Sequence, residues 1–137
     1  MKPHGFPKAE HLSLRRDVER LFGPAAGRAS ATAWPLRAVW RCEAHAGGGP
    51  RVRVLLSVGK RRLRHAVDRN RAKRQLREAY RLGKAPLVGA VPAGRRLDVA
   101  FVWLADSGVP TPRVRAAVAS LTDRMARAAA GLKESSE

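Results

Sequence analysis

Residues 97–104, LDVAFVWL, are a nearly continuous apolar run in a chain of 137 residues with a formal charge of +17. A run of that length and composition fits a strand covered on both faces. Two earlier stretches have a period of two instead. In the first, Trp34, Leu36, Ala38, Trp40 and Cys42 alternate with Arg37, Arg41 and Glu43. In the second, Val52, Val54, Leu56 and Val58 share one face. Both predict half-buried strands, and the intervening AHAGGGP predicts that they pair as an antiparallel hairpin.

Helical spacing marks three further segments. Leu14, Val18, Leu21 and Phe22 form one face of a short helix over 13–22, with Ser13 as N-cap and Gly23-Pro24 as the stop. Thr111-Pro112 opens a last helix, threonine at the cap and proline at N1, whose buried face is Val114, Ala117, Val118, Leu121, Met125 and Ala128. The third segment, 66–81, is the basic one. Residues 25–33 and the Gly- and Pro-rich GKAPLVGAVPAGRR read as loops. The order is α-β-β-α-β-α, with room for a further short strand in the first half. That makes an α+β fold in a single domain, 1–137, with flexible tails at 1–10 and 133–137. The strand at 52–58, the basic helix and the strand at 97–104 form a βαβ crossover, right-handed by default.

The charge is concentrated. Residues 60–81 hold ten cations and two anions, a net +8 out of +17. On a helical wheel Ala72, Leu76 and Ala79 share one face with Tyr80 at its edge. Opposite lie Asn70, Lys73, Arg74, Arg77 and Arg81. Glu78 stands four residues after Arg74 and three before Arg81, where it relieves repulsion. Solvated helix faces usually mix signs; this one does not, and a polyanionic partner follows. Arginine outnumbers lysine 22 to 6, which fits either bidentate phosphate binding or a GC-rich genome. Asn70, between Arg69 and Arg71, offers two donors and an acceptor to a base edge or 2′-hydroxyl, or else bonds locally to its own backbone.

No protein active site is evident. The acids form no cluster for metal chemistry, and His4, His11, His45, His65 and Cys42 have no ligand spacing. The single cysteine excludes an internal disulfide and fits a reducing compartment. With no apolar stretch long enough to span a membrane and no signal-like N-terminus, a cytoplasmic protein is expected.

The stretch SVGKRRLRHAVDRNRAKRQLREAYR (57–81) resembles the protein subunit of bacterial ribonuclease P. It carries that family's basic pair (Lys60-Arg61), Ala66-Val67, Arg69-Asn70-Arg71, Lys73-Arg74, Arg77-Glu78-Ala79 and the aromatic Tyr80. The opening HLSLRRDVERLF and the strand LDVAFVWL fit as well, so the resemblance spans most of 11–130. It implies an α-β-β-β-α-β-α fold, a mostly antiparallel sheet with one parallel βαβ crossover of left-handed sense. The implied partners are a catalytic ribonuclease P RNA, which holds Mg2+, and precursor tRNA, whose 5′ leader is removed. No further protein partner is required and no membrane is involved.

The implied RNA-binding residues are Lys60, Arg61, Arg62, Arg64, Arg69, Asn70, Arg71, Lys73, Arg74, Arg77 and Arg81. The implied leader cleft uses Val18 and Phe22, where the family often has two aromatics, with Trp40 from the sheet. Phe22 is equally well explained as a core residue. His65 stands where the family commonly has Asn, in a loop that is one residue longer. A structural RNA-binding protein of ribosomal type and a DNA-binding module are the alternatives.

Overall fold

The computed structural model describes residues 10–12, 15–23, 28–45 and 47–135. Its elements are α1 (Arg15–Phe22), β1 (Arg28–Ala33), β2 (Leu36–Ala44), β3 (Val52–Ser57), α2 (Ala66–Gly83), α3 (Ala85–Ala90), β4 (Arg95–Trp103) and α4 (Thr111–Ser135). The sheet order is β1-β2-β4-β3. The most apolar strand, β4, therefore lies inside, antiparallel to β2 and parallel to β3.

The expected hairpin between β2 and β3 does not form, because β4 separates them. Alternation determines which face of a strand is buried, but not which strand lies beside it. β4, apolar on both faces, takes the inner position between β2 and β3. The parallel β3–α2–β4 crossover is present. Residues 28–33, expected as loop, form β1 with Ala29, Ala31 and Ala33 half-buried and Arg28, Ser30 and Thr32 exposed. Alanine and serine carry little polarity contrast, which hid the alternation. The expected loop at 83–96 contains α3, with Pro86 in its first turn and Leu87 fully buried.

One sheet face carries the main core. Leu36, Ala38, Trp40, Val52, Val54, Leu97, Val99, Phe101 and Trp103 pack against Ala72, Leu76, Ala79 and Tyr80 of α2 and the apolar side of α4. That side of α4 includes Ala129, while Ala128, expected inside, is exposed. α4 also starts differently from expectation. The Pro110 carbonyl accepts the N–H groups of Arg113 and Val114, so Thr111 is already helical. Its hydroxyl instead accepts a hydrogen bond from the buried Gln75 amide, 3.1 Å away, which also donates to the Val109 carbonyl at 2.8 Å. Gln75 thereby ties α2 to the start of α4. The helix runs through Lys133 to Ser135.

The opposite face holds a smaller cluster of Leu12, Leu21, Val39 and Ala100, with Val18 and Leu55 half-buried beside it. Here α1 lies on the sheet. A helix of eight residues is too short to persist alone, so its position depends on tertiary anchors. At its first turn Asp17 is buried and meets Arg53 at 3.1 Å; Arg53 also forks onto Asp98 at 2.9 and 3.0 Å. Burial works against the Arg53 charge, but the two carboxylates outweigh it and hold the guanidinium pKa above its ordinary value. At the other end Arg28 donates to the carbonyls of Phe22 and Gly23, and Arg41 to that of Arg20. These guanidinium groups satisfy carbonyls that the helix leaves open and complement its dipole. The expected cap Ser13, Leu14, Pro24 and both outermost tail segments, 1–9 and 136–137, lie outside the described residues. Glu10, counted with the tail, pairs with the buried Lys84 at 2.6 Å.

Candidate nucleic-acid interface

α2 sorts its side chains as the wheel requires. Ala72, Gln75, Leu76, Ala79 and Tyr80 are buried, while Asn70, Arg71, Arg74 and Arg77 are exposed. Gln75 was missed as a buried residue, since a glutamine inside an otherwise basic segment reads as surface. Just upstream, the turn at 59–65 exposes Lys60, Arg61, Arg62 and Arg64 around the buried Leu63. Backbone N–H groups of Arg62 and Leu63 both donate to the Gly59 carbonyl, which keeps this turn tight. His65 precedes α2 in extended conformation and is exposed, without a side-chain cap.

The cations do not all play one part. Arg69 turns back and donates to the carbonyls of Leu63 and Arg64, at 2.9 and 2.8 Å. It staples the turn to the helix. Arg62 pairs with Asp106 at 3.1 Å across an exposed gap. Arg81 is bound to Glu78, whose carboxyl it holds below the ordinary carboxylate range. Arg71 lines a basic recess of about 500 Å3 with Arg61, Arg64, His65, Ser107 and Gly108. Lys73 and Arg77 turn the other way. With His11, Leu12 and Leu55 they line a second recess of about 230 Å3 at the outer edge of β3. Asn70 is exposed, and its side chain has no hydrogen bond to another described residue.

Arg69 and Arg71, two residues apart, thus separate into a structural and a free guanidinium. Arg69→Ala is expected to lower stability by about 1–2 kcal/mol, the scale of losing charge-assisted bonds to partly exposed carbonyls. Arg71→Ala is expected to leave the urea midpoint unchanged. Equal midpoints for the two variants would show that the staple contributes nothing.

The three cleft candidates do not come together. Val18 and Phe22 lie on α1's side of the sheet, Val18 half-buried and Phe22 41% exposed. Phe22 is not a core residue. Trp40 lies on the opposite face, packed with Ala29, Cys42, Leu97 and Met125 beneath α4. The pleat explains the error, since Trp40 follows Val39, which does face α1. On α1's side the next row of the sheet aligns Thr32, Arg37, Val102 and Ser57. Arg37 is exposed and was missed, although its alternation with Trp40 held the signal.

No catalytic constellation accompanies these residues. Among the described residues no three His, Cys, Asp or Glu side chains gather where they could hold a metal ion. Burial, only partly offset by Arg95, pushes the Cys42 thiol above its ordinary pKa, which disfavours the thiolate. No described helix is long and apolar enough to cross a membrane.

An α+β fold that exposes arginines along one helix face defines a strongly basic class of protein. A model of the family described as Ribonuclease P matches residues 6–128, and the chain belongs to that family, whose members are components of an endoribonuclease. The ribonuclease P protein component of Porphyromonas gingivalis is 41% identical over 107 residues, covering 74% of this chain and 72% of that one. The corresponding protein of Chromohalobacter salexigens is 34% identical over 98 residues, covering 70% and 72%. The solved RNase P protein from Thermotoga maritima shares the fold, with a TM-score of 0.62 at 24% identity over 84% of this chain and 96% of that one.

Proposed function

We propose that this chain is the RNA-binding protein subunit of ribonuclease P, acting with a catalytic RNA to remove the 5′ leader of precursor tRNA in the cytoplasm. The observation that carries this reading is the run of exposed cations along α2 and the turn before it, Lys60, Arg61, Arg64, Arg71, Arg74 and Arg77. Arg71, Arg74, Lys60, Arg61 and Arg64 dock on the phosphates of the RNA subunit, and Asn70 reaches a base edge or 2′-hydroxyl among them. Arg69 assists indirectly, by holding the turn.

Val18, Phe22 and Arg37 hold the single-stranded leader on the sheet face beside α1, Phe22 by stacking and Arg37 by phosphate contact. Lys73 and Arg77 bridge the two sites, since their recess at the β3 edge reaches Leu55 on α1's side of the sheet. Mg2+ belongs to the RNA, where it supplies charge neutralisation and water activation at the scissile phosphate. The protein's own contribution is to neutralise RNA phosphates and to hold the leader in place.

The test is cleavage of a precursor tRNA by the cognate RNA at low Mg2+. Adding the protein is expected to restore cleavage, and the rescue should fade steeply as salt rises, because phosphate neutralisation releases counterions. Binding to ribosomal RNA without any rescue of cleavage would replace this reading with that of a structural RNA-binding protein.

A further inference from the structure

Of the three tryptophans, Trp40 and Trp103 are 8% and 1% exposed, whereas Trp34 is 53% exposed. Trp34 and Pro35 alone make the turn between β1 and β2, since Ala33 pairs with Leu36. Pro35 is buried and its carbonyl accepts the Leu104 N–H at 2.8 Å. The turn is therefore pinned, and the ring projects from a rigid support. Over that ring, 5.4 Å from its centre, lies the guanidinium of Arg113 in the first turn of α4.

We propose that Trp34, backed by Arg113, is a stacking platform for an unpaired RNA base. This inference rests on the proposed role in an RNA complex and adds a contact outside both α2 and the face beside α1. The core does not call for a tryptophan here, because half of the ring surface remains in water. The group over the ring is the exposed, cationic Arg113, and Thr32 and Arg37, near in sequence, are also exposed, which suits a nucleotide better than an apolar protein surface. An aromatic face with an arginine beside it accepts any base, and its phosphate finds a cation. Because the turn is already ordered, binding freezes little additional chain.

The platform also lies at the right end of the molecule. Leu36 aligns with Trp103, and Ser57 with Val102. The β1–β2 turn, the basic turn at 59–65 and the starts of α2 and α4 therefore share one end of the sheet. Two to three strand spacings, about 10–14 Å, separate Trp34 from the end of β3. One RNA strand can touch both.

The buried positions of Trp40 and Trp103 make fluorescence a selective probe. The full chain would be titrated with the cognate RNA subunit, then with precursor tRNA in the presence of that RNA, for wild type, Trp34→Phe and Trp34→Ala. Wild-type emission is expected to be quenched and that quench lost in Trp34→Phe. Affinity should fall about tenfold in Trp34→Ala, the scale of one base–aromatic stack, and far less in Trp34→Phe. Quenching by the RNA subunit alone assigns the base to that RNA; quenching only after precursor is added assigns it to the substrate.

If Trp34→Ala binds like wild type, or if wild-type emission does not change, the platform is refuted while the docking role of α2 stands. Should Trp34→Ala fold poorly, presence or absence of the quench in Trp34→Phe against wild type decides alone. Wild-type protein that binds neither RNA would overturn the proposed function and the platform with it.

Discussion

Replacing Arg71 and Arg74 together by alanine is expected to weaken binding to the catalytic RNA by roughly 100-fold. Each is exposed on the basic face of α2 and engaged in none of the ion pairs of the described residues. Each is free to make a charge-assisted bond to phosphate, and at about 1.5 kcal/mol apiece the pair accounts for about 3 kcal/mol. The salt dependence is the sharper measure. With two phosphate contacts gone, the slope of log affinity against log salt should become shallower by about 1.4–1.8. Thermal stability should not fall, because removing like charges from one face lowers repulsion. A filter-binding titration at several salt concentrations checks all of this. An unchanged slope would place the dock elsewhere, even if affinity dropped.

Arg53→Met is expected to be the most damaging single substitution to the fold, costing about 3–5 kcal/mol by analogy with other broken buried pairs. The side chains of Arg53, Asp17 and Asp98 are only 13%, 8% and 9% exposed. Removing the guanidinium leaves two carboxylates desolvated and close to one another. Out of a total stability of about 5–15 kcal/mol, that loss is large. It falls first on α1, whose apolar contact with the sheet, among the described residues, is the small cluster around Leu21 and Val39. Leader binding should therefore fail before RNA docking does.

The counter-experiment is the triple variant Arg53→Met, Asp98→Val, Asp17→Ala. Removing all three charges leaves no carboxylate stranded, and Arg96, which loses Asp98 at 3.8 Å, stays partly exposed, so much of the lost stability should return. A urea midpoint for the triple variant as low as that of Arg53→Met would mean that lost packing, not stranded charge, explains the damage.

Much of this protein was legible where polarity contrast was strong. Val52 and Val54 against Arg51 and Arg53 gave a strand, and Ala72, Leu76 and Ala79 against Asn70 and four cations gave a helix with one buried side. The continuous run at 97–104 gave an inner strand, and the Arg69-Asn70-Arg71 block pointed to the family that residues 6–128 match. The signal failed where contrast was weak. Alternating alanine and serine hid β1, and a Gly- and Pro-rich context hid α3. Trp40 was assigned to the leader side because an aromatic suggests stacking, although its own alternation with Arg37 and Arg41 put it on the other face.

The sequence by itself determined the elements with strong periodicity, the segregation of charge along α2 and the family. These depend on contacts within a few residues, where spacing alone decides which side chains share a face. Tertiary structure decided which strands are neighbours, that Arg53 bridges two acids 36 and 45 residues away, and that Arg69 serves the fold while Arg71 stays free. It also decided that Trp34, alone of the tryptophans, meets solvent. Those outcomes depend on where distant parts of the chain meet, and on burial that no local pattern records.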